Sequence, residues 1–235
     1  RAPDGKAYEE PAEMSLASIS AANGVGIALT MLPVLFKYSN FGSKKALPSQ
    51  CRFVNDADQF LSIVTRLKSV KSETTDLDIG VAPHSLRAVD KPLLREVLNS
   101  IDIDRTPIHL HISEQMKEVN DCLAWSKMRP VDWLFDNFNV DENWCLIHAI
   151  HSNQHELRQI ADSGAVVGFC PTTEANLGDG LFNTKDYLTL GGNFGIGSDS
   201  NITINPFEEL KWLEYVQRLH HQNRNLLGSD KLLST

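Results

Sequence analysis

The sequence predicts a parallel α/β fold, and three features carry that reading. Short runs rich in Val and Ile alternate with amphipathic stretches, the stretches open on helix-start residues, and ionisable side chains gather just after the apolar runs. The apolar runs place strands at residues 26–35, 79–84, 108–112, 145–150, 165–170 and 194–197. Pro11 suits the first position of a helix, and Asn23-Gly24 suits its left-handed closure. Asn55 is placed to cap a helix with Phe60, Ile63, Val64 and Leu67 on one face, and Asp90 to cap the next. Further helices are expected from near Glu114, Pro130, Asn153 and Asn205. Six strand-helix units with polar residues at their carboxyl ends fit most of a (β/α)8 barrel, two units short. A doubly wound open sheet is the alternative, but the phosphate-binding glycine loop after its first strand is missing. No low-complexity segment or short repeat marks an internal boundary.

The 235 residues, 42% of them apolar, are enough to bury a substantial core. A formal net charge of -8 argues against a nucleic-acid or anionic-membrane surface, while one buried Arg would still hold a small anion. The apolar runs are too short to span a bilayer and the start of the chain lacks signal-peptide order, so a soluble, cytoplasmic protein is expected. Cys51, Cys122, Cys145 and Cys170 form no C-x-x-C pair, and Cys145 and Cys170 sit in apolar runs as small core residues.

The chemistry centres on His109-Leu-His111-Ile-Ser-Glu114. On a strand His109 and His111 point to one side, the interior in a barrel, and Glu114 follows where the strand turns away. His148 and Asp199 occupy the corresponding places in their own units. Imidazole and carboxylate suit zinc or iron, and an open position on such a metal would acidify a bound water. The competing reading of Asp199 is helix capping, shared with Ser198, Ser200 and Asn201. His151 reads as a loop residue, and His155, His220 and His221 as solvated helix residues.

With these residues assembled, the chain resembles the amidohydrolase superfamily of metal-dependent hydrolases and deaminases. His111, His148 and Asp199 match its ligands or catalytic groups on strands five, six and eight, and the His109/His111 pair is therefore not its first-strand H-x-H. Within it, four segments resemble the formimidoylglutamate deiminases: His84-Ser-Leu-Arg87-Ala-Val89, His109 to Gln115, Thr173-Glu-Ala-Asn-Leu-Gly-Asp-Gly180 and Gly195-Ile-Gly-Ser-Asp-Ser200. The resemblance implies a barrel of the metal-dependent hydrolase type. Residues 1–235 would supply strands three to eight, without the first two strands or the small β domain, and would be inactive alone.

The resemblance also implies a hydrolase acting on the C–N bond of an amidine: N-formimino-L-glutamate would give N-formyl-L-glutamate and ammonia, a step of histidine degradation. One divalent metal, zinc ahead of iron, would be held by His111 and Asp199. Asp199 would accept a proton from water, His148 would orient the water, and Glu114 would carry a proton to the departing nitrogen. Arg87 and His84 would grip a substrate carboxylate, where Arg87 would otherwise read as an inter-loop ion pair. Residues 172–180 read as a loop with tight-turn glycines and a substrate contact through Glu174 or Asn176. The partner expected is therefore a small anionic amidine, with neither nucleic acid nor membrane, and family members commonly form homodimers. Two alternatives stand beside this reading: a deaminase of a cyclic amidine such as guanine, and a catalytically inactive barrel scaffold.

Overall fold

A computed structural model describes residues 2, 6–71, 76–200, 203–228 and 232. The chain forms two compact units, residues 1–110 and 111–235. No helix among the described residues is long and apolar enough to cross a membrane.

The first unit runs α1 (Glu13–Val25), β1 (Leu29–Met31), β2 (Val34–Leu35), β3 (Tyr38–Asn40), β4 (Lys44–Lys45), α2 (Ala57–Lys71), β5 (Leu77–Ile79), β6 (Ala82–Pro83) and α3 (Lys91–Asn99). The single strand expected at 26–35 is two strands, because Pro33 has no N–H for a ladder. β1 pairs in parallel with β5, Leu29 opposite Leu77, and β2 pairs in parallel with β6. Gly80 lies between β5 and β6, where a Cβ would meet the Pro107 carbonyl oxygen at 2.6 Å, so the backbone approach there requires glycine. Ile19, Leu67, Leu77 and Ile79 pack together beneath α1 and α2, with Leu16 and Ile63 against them.

Three local expectations change here. α1 starts at Glu13, after Pro11, and runs on through Asn23-Gly24 to a left-handed cap at Gly26 (φ 74°), whose N–H donates to Ala22 O. A glycine is tolerated inside a helix, so the second of the two, two residues on, ends it. The cap of α2 is Asp56, whose Oδ1 accepts from Gln59 N at 2.9 Å. Asn55 instead clamps β2, donating to Val34 O and accepting from Phe36 N. Asp90 caps α3 as expected, accepting from Leu93 N.

Strand β7 (Ile108–Ile112) has the predicted bounds and crosses from the first unit into the second. The second unit continues with α4 (Met116–Ser126), α5 (Pro130–Asn137), β8 (Trp144–His148), α6 (Gln154–Ser163), β9 (Val166–Phe169), α7 (Pro171–Leu177), α8 (Thr184–Thr189), β10 (Asn193–Ile196) and α9 (Pro206–His221). The strands lie in the order β7-β8-β9-β10, with β8–β9 and β9–β10 parallel. Alternation buries Trp144, Leu146 and His148 of β8, so the last residue of that strand faces inward. Asn153 opens α6 with a reciprocal capping box to Glu156.

The stretch expected to be a loop from 172 to 180 is largely the helix α7. Pro171 starts it, and the Thr172 N–H, an orphan of the first turn, donates at 2.9 Å to Glu209 Oε2 on α9. That cap comes from 37 residues away and leaves no local trace. Asp199 does not cap α9; Asn205 does, accepting from Phe207 N at 3.0 Å. Of the other capping candidates, Asn201 lies outside the described residues.

Candidate active site

The second unit brings His111, Glu114, His148 and Asp199 to one end of its sheet. His111 sits on β7 and His148 ends β8; their rings stack with centroids 5.7 Å apart and planes at 27°. Beyond the strands the backbone turns sharply. Ser113, His148, Ala149 and Asp199 all adopt positive φ, between 47° and 68°, a region that costs non-glycine residues energy. Two hydrogen bonds hold the first turns in place, Ala149 N to Ile112 O and His151 N to Ser113 O, both 3.0 Å.

His148 is 1% exposed. Its Nε2 is 4.0 Å from Glu114 Oε1, and its Nδ1 is 3.2 Å from Glu174 Oε1. The same Glu174 oxygen accepts from Cys170 N at 2.9 Å. Burial pulls the His148 pKa down, but the hydrogen bond to Glu174 and the charges of Glu114, Glu174 and Asp199 outweigh it and leave the pKa raised. Asp199 therefore acts on the ring electrostatically from its left-handed turn. The Glu114 N–H is held at 3.3 Å by the buried carboxylate of Glu118, a residue with no role assigned by the sequence. Its signal there was the spacing Glu114-x-x-x-Glu118 at a helix start.

Among the described residues one set of donor atoms lies close enough to share a metal. His148 Nδ1, Cys170 Sγ and a Glu174 oxygen lie within 4.8 Å of one another. That set fits poorly, because the Glu174 oxygen is already committed to two donors and burial raises the Cys170 pKa far above the ordinary thiol range. His111 and Asp199, the ligands expected from the sequence, offer the nitrogen and oxygen donors that zinc and iron take. His109 belongs to the first unit and its N–H donates to Val81 O; His151 Nε2 is 2.8 Å from Asp179 O; His155 lies near Asp132 with its side chain 71% exposed.

The first unit has a cavity of about 550 Å³ walled by Val34, Phe36, Tyr38 and Phe53. His84 and Arg87, both just past β6, line it too. His84 packs edge-on to Phe36 at 5.2 Å, with Nδ1 3.1 Å from Ser85 Oγ. Arg87 Nε is buried and makes no hydrogen bond among the described residues. A guanidinium with a donor in reserve, set among aromatic rings, is suited to an anion. The aromatic wall was not legible in advance, since Phe53 joins the neighbouring Phe36 and Tyr38 only through the fold.

The Amidohydrolase family profile matches residues 40–233. The chain is 47% identical over 227 residues to formimidoylglutamate deiminase of Pseudomonas aeruginosa, covering 97% of this chain and 50% of that protein. It is 26% identical over 183 residues to 5-methylthioadenosine/S-adenosylhomocysteine deaminase of Pyrococcus furiosus, covering 77% of this chain and 42% of that protein. A solved amidohydrolase from Brucella melitensis superposes with a TM-score of 0.93 at 45% identity, over 96% of this chain and 50% of its own. A zinc-bound adenosine deaminase from Xanthomonas campestris, 19% identical, shares the fold with a TM-score of 0.77 over 91% of this chain and 47% of its own. The chain thus spans about half the length of the curated relatives it matches. A profile running across most of the sequence, and a relative nearly half identical along it, place this chain in the amidohydrolase family of metal-dependent hydrolases, whose fold is the TIM-type barrel.

Proposed function

We propose that the protein carrying this chain hydrolyses N-formimino-L-glutamate to N-formyl-L-glutamate and ammonia in the cytoplasm, as a step of histidine degradation, with zinc as its divalent metal. The observation that carries the substrate is Arg87, a guanidinium with a buried, unbonded Nε in an aromatic-walled cavity, in a chain 47% identical to a formimidoylglutamate deiminase. Arg87 and His84 bind a carboxylate of the substrate, which gives an acidic chain the local positive charge it needs.

His111 and Asp199 are the chain's metal ligands in this reading, and the bound ion supplies Lewis acidity and a water of lowered pKa. The chain's own groups do the rest. Asp199 accepts the proton of the attacking water. His148 orients that water through Nε2. Glu114 carries a proton to the departing nitrogen, and its negative charge favours a protonated amidine. Water adds to the amidine carbon and the C–N bond to the terminal nitrogen breaks, leaving the formamide and ammonia.

The test is ammonia release by the whole, zinc-loaded protein. N-formimino-L-glutamate is expected to be the preferred substrate and guanine to be inert. Ammonia from guanine and none from N-formimino-L-glutamate overturns the proposal in favour of a cyclic-amidine deaminase.

A further inference from the structure

We infer that Glu174 is a positioning residue: its carboxylate holds the His148 ring in the form with hydrogen on Nδ1 and leaves the Nε2 lone pair facing the Glu114 side. The inference rests on the reading of His148 as a group of the deaminase site.

A carboxylate at this place only accepts, so the 3.2 Å approach of Glu174 Oε1 to His148 Nδ1 requires the hydrogen to sit on Nδ1. The oxygen cannot turn away, because the Cys170 N–H holds it at 2.9 Å. Water does not compete, with His148 1% and Glu174 7% exposed. At the other nitrogen, Glu114 Oε1 stands at 4.0 Å, beyond a hydrogen bond, so no comparably close carboxylate draws the hydrogen to Nε2. A neutral ring therefore meets the site as an acceptor.

The element that carries Glu174 is itself fixed at three points. Glu209 on α9 accepts from both Thr172 N and Thr172 Oγ1, at 2.9 and 2.5 Å. Gly178 ends α7 in a left-handed cap, its N–H donating to Glu174 O. Thr173 Oγ1 donates to Ser198 O at 3.0 Å and pairs with Ser200 Oγ at 2.9 Å, so the same turn also brackets Asp199. Neighbouring residues of one short helix thus reach His148 and the Asp199 turn. A direct substrate contact by Glu174 fits less well, because its Oε1 already takes two donors and its side chain is enclosed.

The test uses the whole, zinc-loaded protein labelled with ¹⁵N-histidine. Ring-nitrogen NMR at about pH 9, above the ordinary histidine range, reports which nitrogen carries hydrogen. The His148 signals are identified by their loss in His148→Asn. We expect Nδ1–H in the wild type, retention of Nδ1–H in Glu174→Gln, whose amide oxygen still accepts, and a change of tautomer in Glu174→Ala. In turnover, Glu174→Ala is expected to lose about 10- to 100-fold in kcat, as orienting partners commonly do, with Glu174→Gln recovering part of it. KM stays within about threefold. Nε2–H in the wild-type spectrum overturns the inference without needing any variant to fold. A raised KM with unchanged kcat in Glu174→Ala overturns it in favour of substrate contact. If N-formimino-L-glutamate is not a substrate, the deaminase reading fails while the tautomer still decides the positioning role.

Discussion

Arg129 Nε donates to Glu156 Oε2 at 2.7 Å, and the carboxylate it meets is fully buried. The same oxygen accepts from Asn153 N at 2.8 Å, and Arg129 also donates to His151 O. The pair therefore ties α5, the turn after His148 and the start of α6 together. Removing one partner strands the other: Arg129→Met is expected to cost about 3 kcal/mol, because a buried carboxylate is left uncompensated. Glu156→Gln keeps an acceptor for Asn153 N and costs less. Urea unfolding of the two variants checks the order, and equal midpoints would refute it.

Gly191 and Gly192 are adjacent but should answer differently to alanine. A Cβ on Gly192 would lie 2.3 Å from the Tyr187 ring, which is fully buried and pinned by its hydroxyl, donating to Asn193 O at 2.8 Å. Gly192→Ala should cost about 2–3 kcal/mol as overpacking. Gly191 has open space and only its φ of 81° to strain, so its alanine variant should cost about 1 kcal/mol. Calorimetric melting of both proteins measures the difference.

Glu114→Gln separates proton transfer from metal retention. The variant is expected to keep its zinc, measured by atomic emission, and to lose about 100-fold or more in kcat. Full turnover would exclude Glu114 as the proton carrier.

Arg87→Ala is expected to raise KM for N-formimino-L-glutamate by about 10- to 100-fold with kcat little changed, the size of a lost charge-assisted hydrogen bond. Arg87→Lys restores charge without the planar fork and should recover only part. Steady-state kinetics on both variants test it.

Burial pushes the Cys122 thiol up to about 11 and the Cys145 thiol to about 12. A folded-state pKa raised above the unfolded value of about 8.5 means that the unfolded chain loses these protons first. The stability the neutral thiols contribute is complete below that value and is lost as pH climbs towards 11–12. Alkylation of the native protein at about pH 8 should accordingly label the partly exposed Cys51 ahead of the buried Cys122, as peptide mapping would show.

What was legible in the sequence is what is local. β7 was bounded to the residue because Ile108, Leu110 and Ile112 alternate with histidines, and Asp90, Asn153 and Asn205 announced their helices from the capping position itself. His111, Glu114 and His148 could be grouped because strand ends converge. Helix α7 was hidden, since its first N–H is satisfied by Glu209 on a distant helix. The partnership of Glu174 with His148, 26 residues apart, was hidden for the same reason, whereas the choice of Gly26 over Gly24 to end α1 was a local ambiguity between two glycines.

The left-handed backbone at His148, Ala149 and Asp199 limits more than the geometry of the turns. At such positions Asn, Asp and Gly are tolerated, whereas Val, Ile and Thr would be rejected by the main chain even if nothing were asked of the side chain. Mutational drift through 148 and 199 is thereby channelled. A descendant that has lost the chemistry but kept the fold would carry Asn or Gly at these places, and its ancestry would remain readable from the turn alone.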